Sequence, residues 1–535
     1  MDLLDYAWAG VLAVFQGPVL FSIFGLSISA TIAMVLFGFL NGIFVGATPG
    51  LGGPMAMAIS LPILISIFGF SSDALLPVMG CLIGIMKGAT VGGAVPAILF
   101  NTPGTPDAYL TTLDGYPMAK RGEARRALKV AHFSSASGDT FSDLVLILCA
   151  PFLATLVERY LDLPEKTALL ILSLSFIAAV IGGSVAKGLL SAGLGIFVAA
   201  IGTGEDFYPR LSLGTDMLAQ GFPAVAVILG VLILGEVFRG LEDLARSGYG
   251  RPTLPGHAPP GPPGNDKIRH LPWQDRRPLL PHIARSAMIG TAVGALPGIG
   301  STLAATLGHA AGKRRHARKA PDARAFGTGA PEGIAATEAA NSAVSGANLI
   351  PVLSLGIPGN AAAVFLILAA DSIGGFNPGP AVFRYNQDAV NPELIIAFGL
   401  FATMLLANLI NWTVGGTVMR SMAIMTRIPK HILLPVVLML TLTSIYVQET
   451  RMAALWFVIG FGILGYVMRR LDISPLPFVI AFILGGRLEE TARQAYAATG
   501  NDPFFLATSP ISAIFVVMSI SVIVLAQYRR PTTAS

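Results

Sequence analysis

The sequence predicts an all-α polytopic membrane protein of about twelve transmembrane helices, built as two inverted repeats with broken or re-entrant Pro-Gly elements. Three observations predict it. Of 535 residues, 53% are hydrophobic and only 12% are Asp, Glu, Lys or Arg, roughly half the charged share of a soluble domain. The apolar runs are helix-length, with no series of alternating ten-residue strands, which favours a helical bundle over an outer-membrane barrel. A pair of Pro-Gly motifs also recurs in the second half of the chain, with the charges of the flanking loops exchanged.

The composition leaves too little charge to clothe a soluble enzyme of this length. The two cysteines, Cys81 and Cys149, lie in apolar runs; they make no disulfide framework and no CxxC metal pair. The net charge of +5 sits in short loops, where Lys and Arg mark the cytoplasmic face rather than a nucleic-acid surface. The opening MDLLDYAWAG has no basic n-region or cleavage site, so no removable signal peptide is expected.

The repeat is read directly from the residues. GIFVGATPGLGGPMAMA (Gly42–Ala58) recurs as GTAVGALPGIGSTLAAT (Gly290–Thr306), at an offset of 248. A second pair follows: PAILFNTPGTP from Pro96 and PVLSLGIPGNA from Pro351, at an offset of 255. Two motifs recurring in order divide the chain into repeats at 1–240 and 285–535. Between them, 241–284 forms a Pro-rich basic linker on the cytoplasmic side. From Arg239 to Arg285 the sequence holds eight Lys/Arg, four Asp/Glu and nine prolines, with nothing that could span a bilayer.

Loop charge gives the orientation. The loop after the first motif is neutral of Lys and Arg in the first half. In the second half, Lys313–Arg324 carries six Lys/Arg against one Asp. After the second motif the bias swaps. Lys120–Lys129 carries five Lys/Arg against one Glu, whereas the equivalent stretch of the second half has Arg384 against Asp371 and Asp388. Equivalent loops therefore face opposite sides, as in inverted-repeat carriers. The remaining spans are expected near 17–38, 139–157, 167–182, 188–204, 222–238, 393–415, 431–447, 453–468, 474–486 and 506–527.

Proline removes a backbone donor, and glycine permits a tight reversal, so each Pro-Gly motif must stop a helix inside the membrane. Such irregular backbone survives only within protein or along a water-filled cavity. Its free amides and positive helix end suit a carboxylate. The substrate-binding candidates are therefore Thr48, Pro49, Gly50, Gly52, Gly53, Pro103, Gly104, Thr105, Pro297, Gly298, Gly300, Ser301, Thr302, Pro358 and Gly359. Free carbonyls beside Asn101, Thr102, Asn341 and Asn360 suit a small hard cation, so these four are candidate Na+ ligands. The bland alternative is proline kinks with glycine packing; four motifs in paired repeats weigh against it.

Glu338 punctuates a small, apolar segment, with Asn341 and Ser345 on its face. An intramembrane carboxylate is a functional hypothesis by default. Lys87 sits at nearly the same stage of the first repeat; it either pairs with Glu338, attracts an anionic substrate or snorkels to a surface. GHAAGKR lacks Walker spacing, there is no HExxH, and GLGGPM follows no strand, so ATP-driven transport, zinc hydrolysis and dinucleotide binding are unsupported.

GATPGLGG (Gly46–Gly53), GGAVPAILFNTPGTPDAYLTTLDGYPMAKRGEARRAL (Gly92–Leu128), ALPGIGST (Ala295–Thr302), APEGIAATEAANSAVSGANLIPVLSLGIPGN (Ala330–Asn360) and GILGYVMRRLDISPLPFVIAFILGGRLEE (Gly462–Glu490) resemble the large membrane subunit of the tripartite tricarboxylate transporter family, the TctA-like proteins. The resemblance covers nearly the whole chain. It implies a bacterial inner-membrane secondary carrier, not an enzyme and without a cofactor. Such a carrier works with a small four-helix membrane subunit and a periplasmic solute-binding protein, and imports a di- or tricarboxylate by symport with Na+ or H+. Lys87 and Ala94 stand where the family commonly has an aromatic residue and a serine, a departure that bears on whether citrate is the solute. Membrane lipid is the expected surrounding, and no nucleic-acid partner is expected. A passive carboxylate channel and an intramembrane enzyme are the competing readings. The first lacks a ring of like charges or a continuous polar lining, and the second lacks a nucleophile–base or metal set.

Overall fold

A computed structural model describes residues 2–23, 26–48, 51–181, 184–203, 209–211, 218–219, 221–247, 271–298, 300–319, 324–385, 390–422 and 430–528. The chain is helical almost throughout. Helix α1 (Leu3–Phe15) starts from a capping box between Asp2 and Asp5. A short antiparallel hairpin follows, β1 (Val19–Ile23) with β2 (Leu26–Ser29). Ser29 closes it by accepting from the Ile32 amide to cap α2 (Ala30–Gly46) and donating to the Val14 carbonyl. Next come α3 (Gly53–Phe68), α4 (Ser72–Phe100), α5 (Tyr109–Lys120), α6 (Ala124–Tyr160), α7 (Leu163–Val180) and α8 (Val185–Ala199). A two-residue ladder, β3 (Gly202–Thr203) with β4 (Pro209–Arg210), precedes α9 (Ala224–Leu229), a π-turn at Gly230–Leu234 and α10 (Gly235–Ser247).

The second half runs through α11 (Trp273–Arg276), α12 (Leu280–Gly294), α13 (Gly300–Lys319), α14 (Pro331–Ala347), α15 (Leu349–Leu355), α16 (Ala361–Ile373) and α17 (Pro392–Ile410). A second π-turn at Asn411–Gly415 leads into α18 (Gly416–Ser421), followed by α19 (Lys430–Glu449), α20 (Met452–Arg470), α21 (Pro475–Ala498) and α22 (Pro510–Tyr528).

Among the described residues, seven helices are long and apolar enough to cross a membrane: Ser72–Phe100, Ala124–Tyr160, Leu163–Val180, Ala224–Arg246, Pro392–Ser421, Met452–Arg470 and Pro510–Tyr528. The protein is therefore an all-α, multi-pass membrane protein. Helices α2, α3 and α12 have 17, 16 and 15 residues. At 1.5 Å per residue each falls short of the roughly 30 Å hydrocarbon layer.

Several boundaries differ from the sequence reading. The helix expected at 17–38 is a pair of strands followed by a helix from Ala30, with Pro18 before the first strand and Ser22 paired with Ser27 across the two. The span expected from 139 begins at Ala124; its basic residues are good helix formers, so charge there marks the face without ending the helix. The short span expected at 474–486 runs on to Ala498. Within the expected linker, helix continues to Ser247 and resumes at Trp273; residues 248–270 lie outside the described residues.

Contacts divide the chain into two compact units. One comprises Met1–Leu153, Gly250–Leu296 and Gly300–Pro429; the other comprises Ala154–Tyr249, Pro297–Ile299 and Lys430–Ser535. Each unit draws on both sequence halves. In the first unit, α2 and α4 meet along facing glycines. A Cβ on Gly38, Gly42 or Gly46 would lie 2.1–2.4 Å from the carbonyls of Cys81, Ile85 and Ala89. Gly84, Gly88 and Gly92 press in return on Val35, Phe39 and Ile43, at 2.2–2.5 Å. Small residues at four-residue spacing let two backbones approach where lipid supplies no hydrophobic drive.

In the second unit, α7, α8, α21 and α22 pack together, as do α9, α10, α19 and α20. Ser191 donates to the Ser474 carbonyl and accepts from the Phe478 amide, joining α8 to the start of α21. The π-turn at Gly230–Leu234 leaves carbonyls without their usual helical partners. Arg469 supplies donors to two of them, Val231 and Leu232, at 2.7 and 2.8 Å, and pairs with Glu236.

Gly42→Ala and Gly84→Ala are each expected to destabilise the protein by about 1–3 kcal/mol through overpacking, read as a lower melting temperature in detergent. Gly460→Ala meets nothing within 4 Å and is expected to leave the melt unchanged or slightly raised.

Candidate functional site

All four Pro-Gly motifs interrupt helix. Helix α2 stops at Gly46 and α3 starts at Gly53; α12 stops at Gly294 and α13 starts at Gly300. Helix α4 ends at Phe100 and α15 at Leu355.

The two second motifs end their helices in the same manner. Asn101 and Gly356 both take the left-handed conformation, at φ 53° and 71°. The Asn101 and Thr102 amides return to the Pro96 carbonyl, and those of Gly356 and Ile357 return to Pro351. The first motifs are seated alike as well. Gly42 packs on the Ile85 carbonyl and Gly290 on that of Ala340; Gly46 packs on Ala89 and Gly294 on Val344. Their partners are separated by the same 255-residue step that separates Pro96 from Pro351. Gly104 lies against the Gly46 carbonyl and Gly93; Gly359 lies against Asn348 and the Gly294 carbonyl. Gly104 fixes this seat with its amide on the Gly93 carbonyl.

The candidate residues fall out as follows. Thr48 is buried and donates to the Phe44 carbonyl, while Pro49 and Gly50 lie outside the described residues. Gly52 is the N-cap of α3 and Gly53 its first residue. Pro103 leads into buried Gly104 and Thr105. The Thr105 hydroxyl is buried without a hydrogen-bond partner among the described residues. Pro297 and Gly298 belong to the second unit, where Gly298, at φ +87°, packs on Ile177. In the first unit, Gly300 has φ +75° and Ser301 is half-buried. Thr302 donates to Asp107 Oδ1 at 2.6 Å, bringing the second half's first motif against the first half's second motif. Pro358 and Gly359 are buried.

Of the cation candidates, Asn101 is exposed, Thr102 donates to the Phe100 carbonyl, and Asn360 caps α16 by accepting from the Ala363 amide. Asn341 is buried, and its Nδ2 has no partner among the described residues, nor have Asn348 Nδ2 and the Ser342 hydroxyl.

Lys87 and Glu338 do not pair. The Lys87 ammonium donates to Asp139 Oδ1 and Asp143 Oδ2, both at 2.7 Å, and to Asn408 Oδ1 at 3.2 Å. Ser345 donates to Asp139 Oδ1, and Asn408 Nδ2 to Asp143 Oδ2. The Lys87 and Asp143 side chains are 0% exposed and that of Asp139 3%, so snorkelling is excluded. Glu338, fully buried, accepts from the hydroxyls of Thr111 and Ser135. The pairing with Glu338, one of the alternatives open from sequence, is not made, because α6 supplies the carboxylates that Lys87 meets. Asp139 and Asp143 are four residues apart on one face of α6. Placing the start of that span at 139 disguised them as interfacial residues. The legible signal was an Asp pair inside a small-residue run, SSASGDTFSD, continuous with an apolar helix.

A further buried carboxylate, Asp114, has a structural task. Asp114 Oδ1 accepts from the amides of Gly327, Gly329 and Ala330 at 2.8–3.0 Å, holding the turn that begins α14; Oδ2 faces His309 Nε2 at 3.4 Å. Beside it, Arg121 donates to the carbonyls of Thr328 and Gly329, and Arg324 makes a two-pronged pair with Glu123. Hydrogen bonding to Arg324 pulls the Glu123 carboxyl below its ordinary range.

Residues 32–480 match the Tripartite tricarboxylate transporter TctA family. The chain is 31% identical over 495 residues, 91% of each protein, to an uncharacterised 52.8 kDa protein of the TAR-I ttuC′ 3′ region of Agrobacterium vitis. It is 30% identical over 237 residues, 44% of this chain and 93% of the relative, to an uncharacterised protein of the TAR-II ttuC′ 3′ region of the same organism.

Asp114→Ala strands three amides and is expected to cost on the order of 3 kcal/mol, checked by chemical or thermal unfolding in detergent. Because the folded Glu123 carboxyl titrates below its unfolded value, its pairing adds stability above the ordinary carboxylate pKa. That contribution is lost as pH falls through the folded value. Glu123→Gln should therefore lower the melting temperature slightly at neutral pH, by less than about 1 kcal/mol for so exposed a pair. The difference from the parent should vanish in acid.

Proposed function

The chain belongs to the Tripartite tricarboxylate transporter TctA family, a transporter component rather than an enzyme family. On that premise we propose that it is the large permease subunit of a secondary carrier in a bacterial inner membrane. In this reading a periplasmic solute-binding protein delivers an organic di- or tricarboxylate, and a small four-helix membrane subunit completes the assembly. Uptake is symport with Na+ or H+.

One observation carries the reading. Apolar helices stop at paired Pro-Gly tips that make matching contacts in the two sequence halves. Broken helices at matching positions of two repeats are where carriers place their substrate. The proposed site lies in the first unit, at the tips around Gly104, Thr105 and Gly359 and the face of α14. The unspent groups there are donors: the Thr105 and Ser342 hydroxyls and the Asn341 and Asn348 amides. Donors without acceptors suit the oxygens of a carboxylate. Asn360 spends its Oδ1 as a cap, and the spare group of Asn341 is its Nδ2, a donor, which suits the carboxylate rather than a cation.

The contact of Arg121 and Glu123 with the segment Arg324–Gly329 supports an inverted arrangement. It joins the basic loop after the first half's second motif to the basic loop after the second half's first motif. In this reading the repeats are 1–240 and 285–535, 241–284 is cytoplasmic, and the chain makes about twelve crossings. Single cysteines at Arg125 and Arg315, in a chain without native cysteines, should react with a membrane-impermeant reagent from the same side. Reaction from opposite sides would refute the inversion.

Function is tested in vesicles holding the chain, its small subunit and the binding protein under an imposed Na+ or proton gradient. Saturable, gradient-dependent uptake that requires the binding protein is expected. Flux that is linear in solute and indifferent to the gradients would mark a channel. Thr105→Ala combined with Asn341→Ala should raise the half-saturating concentration about tenfold or more, with the parent's melting temperature retained.

A further inference from the structure

Lys87, Asp139 and Asp143 form a buried cluster that does not balance. One ammonium faces two carboxylates, so with both acids ionised the cluster carries a net negative charge inside the protein, a costly state. Among the described residues, no further cation pairs with the two acids. The groups packed on this face are Ser345 of α14 and Asn408 of α17, both neutral and both donating to the carboxylates. A turn away on α6, Ser135 meets Glu338, an acid, and His132 Nε2 rests on the Asn411 carbonyl.

The oxygens also differ. Asp139 Oδ1 receives Lys87 and Ser345; Asp143 Oδ2 receives Lys87 and Asn408. Asp143 Oδ1, in contrast, is buried with no partner among the described residues. It lies against the bare Cα of Gly346, where a Cβ would come within 2.2 Å of it and 2.6 Å of the Ser142 hydroxyl oxygen. Ser142 already donates to the Asp139 carbonyl, so its oxygen has lone pairs to offer. A buried carboxylate oxygen that accepts from no donor among the described residues is a place for a proton.

We propose that the Lys87–Asp139–Asp143 cluster is a proton-binding site that carries one proton on its carboxylates when the cluster is neutral, and that this proton is the one coupled to solute movement. The coupling role rests on the carrier reading above; the proton itself does not. Asp139, with its residual exposure, is the member through which the proton exchanges with water, and Asp143 holds it. Binding forms one O–H bond and release breaks it, with water as donor and acceptor on either side. Lys87 stays charged throughout, tethering both acids. A sodium ion fits less well, because three of the nearest side chains present donors to the carboxylates and a hard cation needs several free oxygens.

Asp139→Asn or Asp143→Asn alone leaves one acid against Lys87, a neutral pair, so each variant should fold without the proton. The experiment takes infrared spectra of the purified full chain in lipid nanodiscs at neutral pH. The carbonyl band of a protonated buried carboxyl should be present in the parent and diminished in Asp143→Asn. It should return, shifted, in Asp143→Glu. Glu338→Gln reports any share of that band belonging to Glu338. In vesicles with both partner proteins, solute-driven proton uptake should fall in Asp143→Asn to the level of empty vesicles, and uptake should cease to follow a proton gradient. An unchanged band in both Asn variants overturns the site. A lost band with undiminished proton uptake overturns the coupling role. Absence of any solute uptake by the parent refutes the carrier reading, and the spectra then decide the proton site alone.

Discussion

A helix that ends inside an apolar layer must still satisfy its backbone, and this constraint organises the first unit. Each free amide or carbonyl left in hydrocarbon costs several kcal/mol. The solution here is close approach. Glycines on α2, α4 and α12 bring backbone against backbone, so that the tips at Gly104 and Gly359 lie directly on neighbouring main chain. The αL residues Asn101 and Gly356 return amides to Pro96 and Pro351, closing helix ends that the following prolines cannot continue. Among the groups left without a partner in the described residues are the Thr105 hydroxyl at one tip and Asn341 Nδ2 and the Ser342 hydroxyl along α14.

Several buried charges of the first unit find partners from elsewhere in the sequence. Lys87 of α4 meets two acids of α6, Glu338 of α14 meets hydroxyls of α5 and α6, and Asp114 of α5 meets the amides that open α14. Asp114 is saturated by three amides and is plain architecture. Glu338 accepts from two hydroxyls, and one oxygen of Asp143 has no partner among the described residues, so neither is saturated by backbone amides as Asp114 is.

The class of protein and the positions of the helix breaks were legible in the sequence, because both follow from local chemistry: long apolar runs and proline beside glycine. The seating of the motifs was partly legible, since Gly42 and Gly290 recur visibly while their partners, Ile85 and Ala340, carry no likeness. Side-chain partnership was not legible. Lys87 has one acid at the matching stage of the other repeat, Glu338, and pairing with it, one of the alternatives that likeness left open, is not made; the partners of Lys87 come from a helix whose start the charge pattern concealed. The hairpin at Val19–Ser29 was missed for a related reason, since an apolar stretch of that length reads equally as helix when its turn is short. The relatives found by comparison add the family and nothing about individual side chains.

Each compact unit is assembled from both halves of the chain, with α4, α5 and α6 completed by α12, α13, α14 and α17. During synthesis Lys87 and its two acids therefore emerge before the α14 and α17 residues that donate to those acids. Until the later half emerges, that charged cluster and the glycine-lined tips have to be sheltered by water, lipid headgroups or the insertion machinery. Biogenesis of such a chain is a waiting problem, and the long connection between the halves sets the length of the wait.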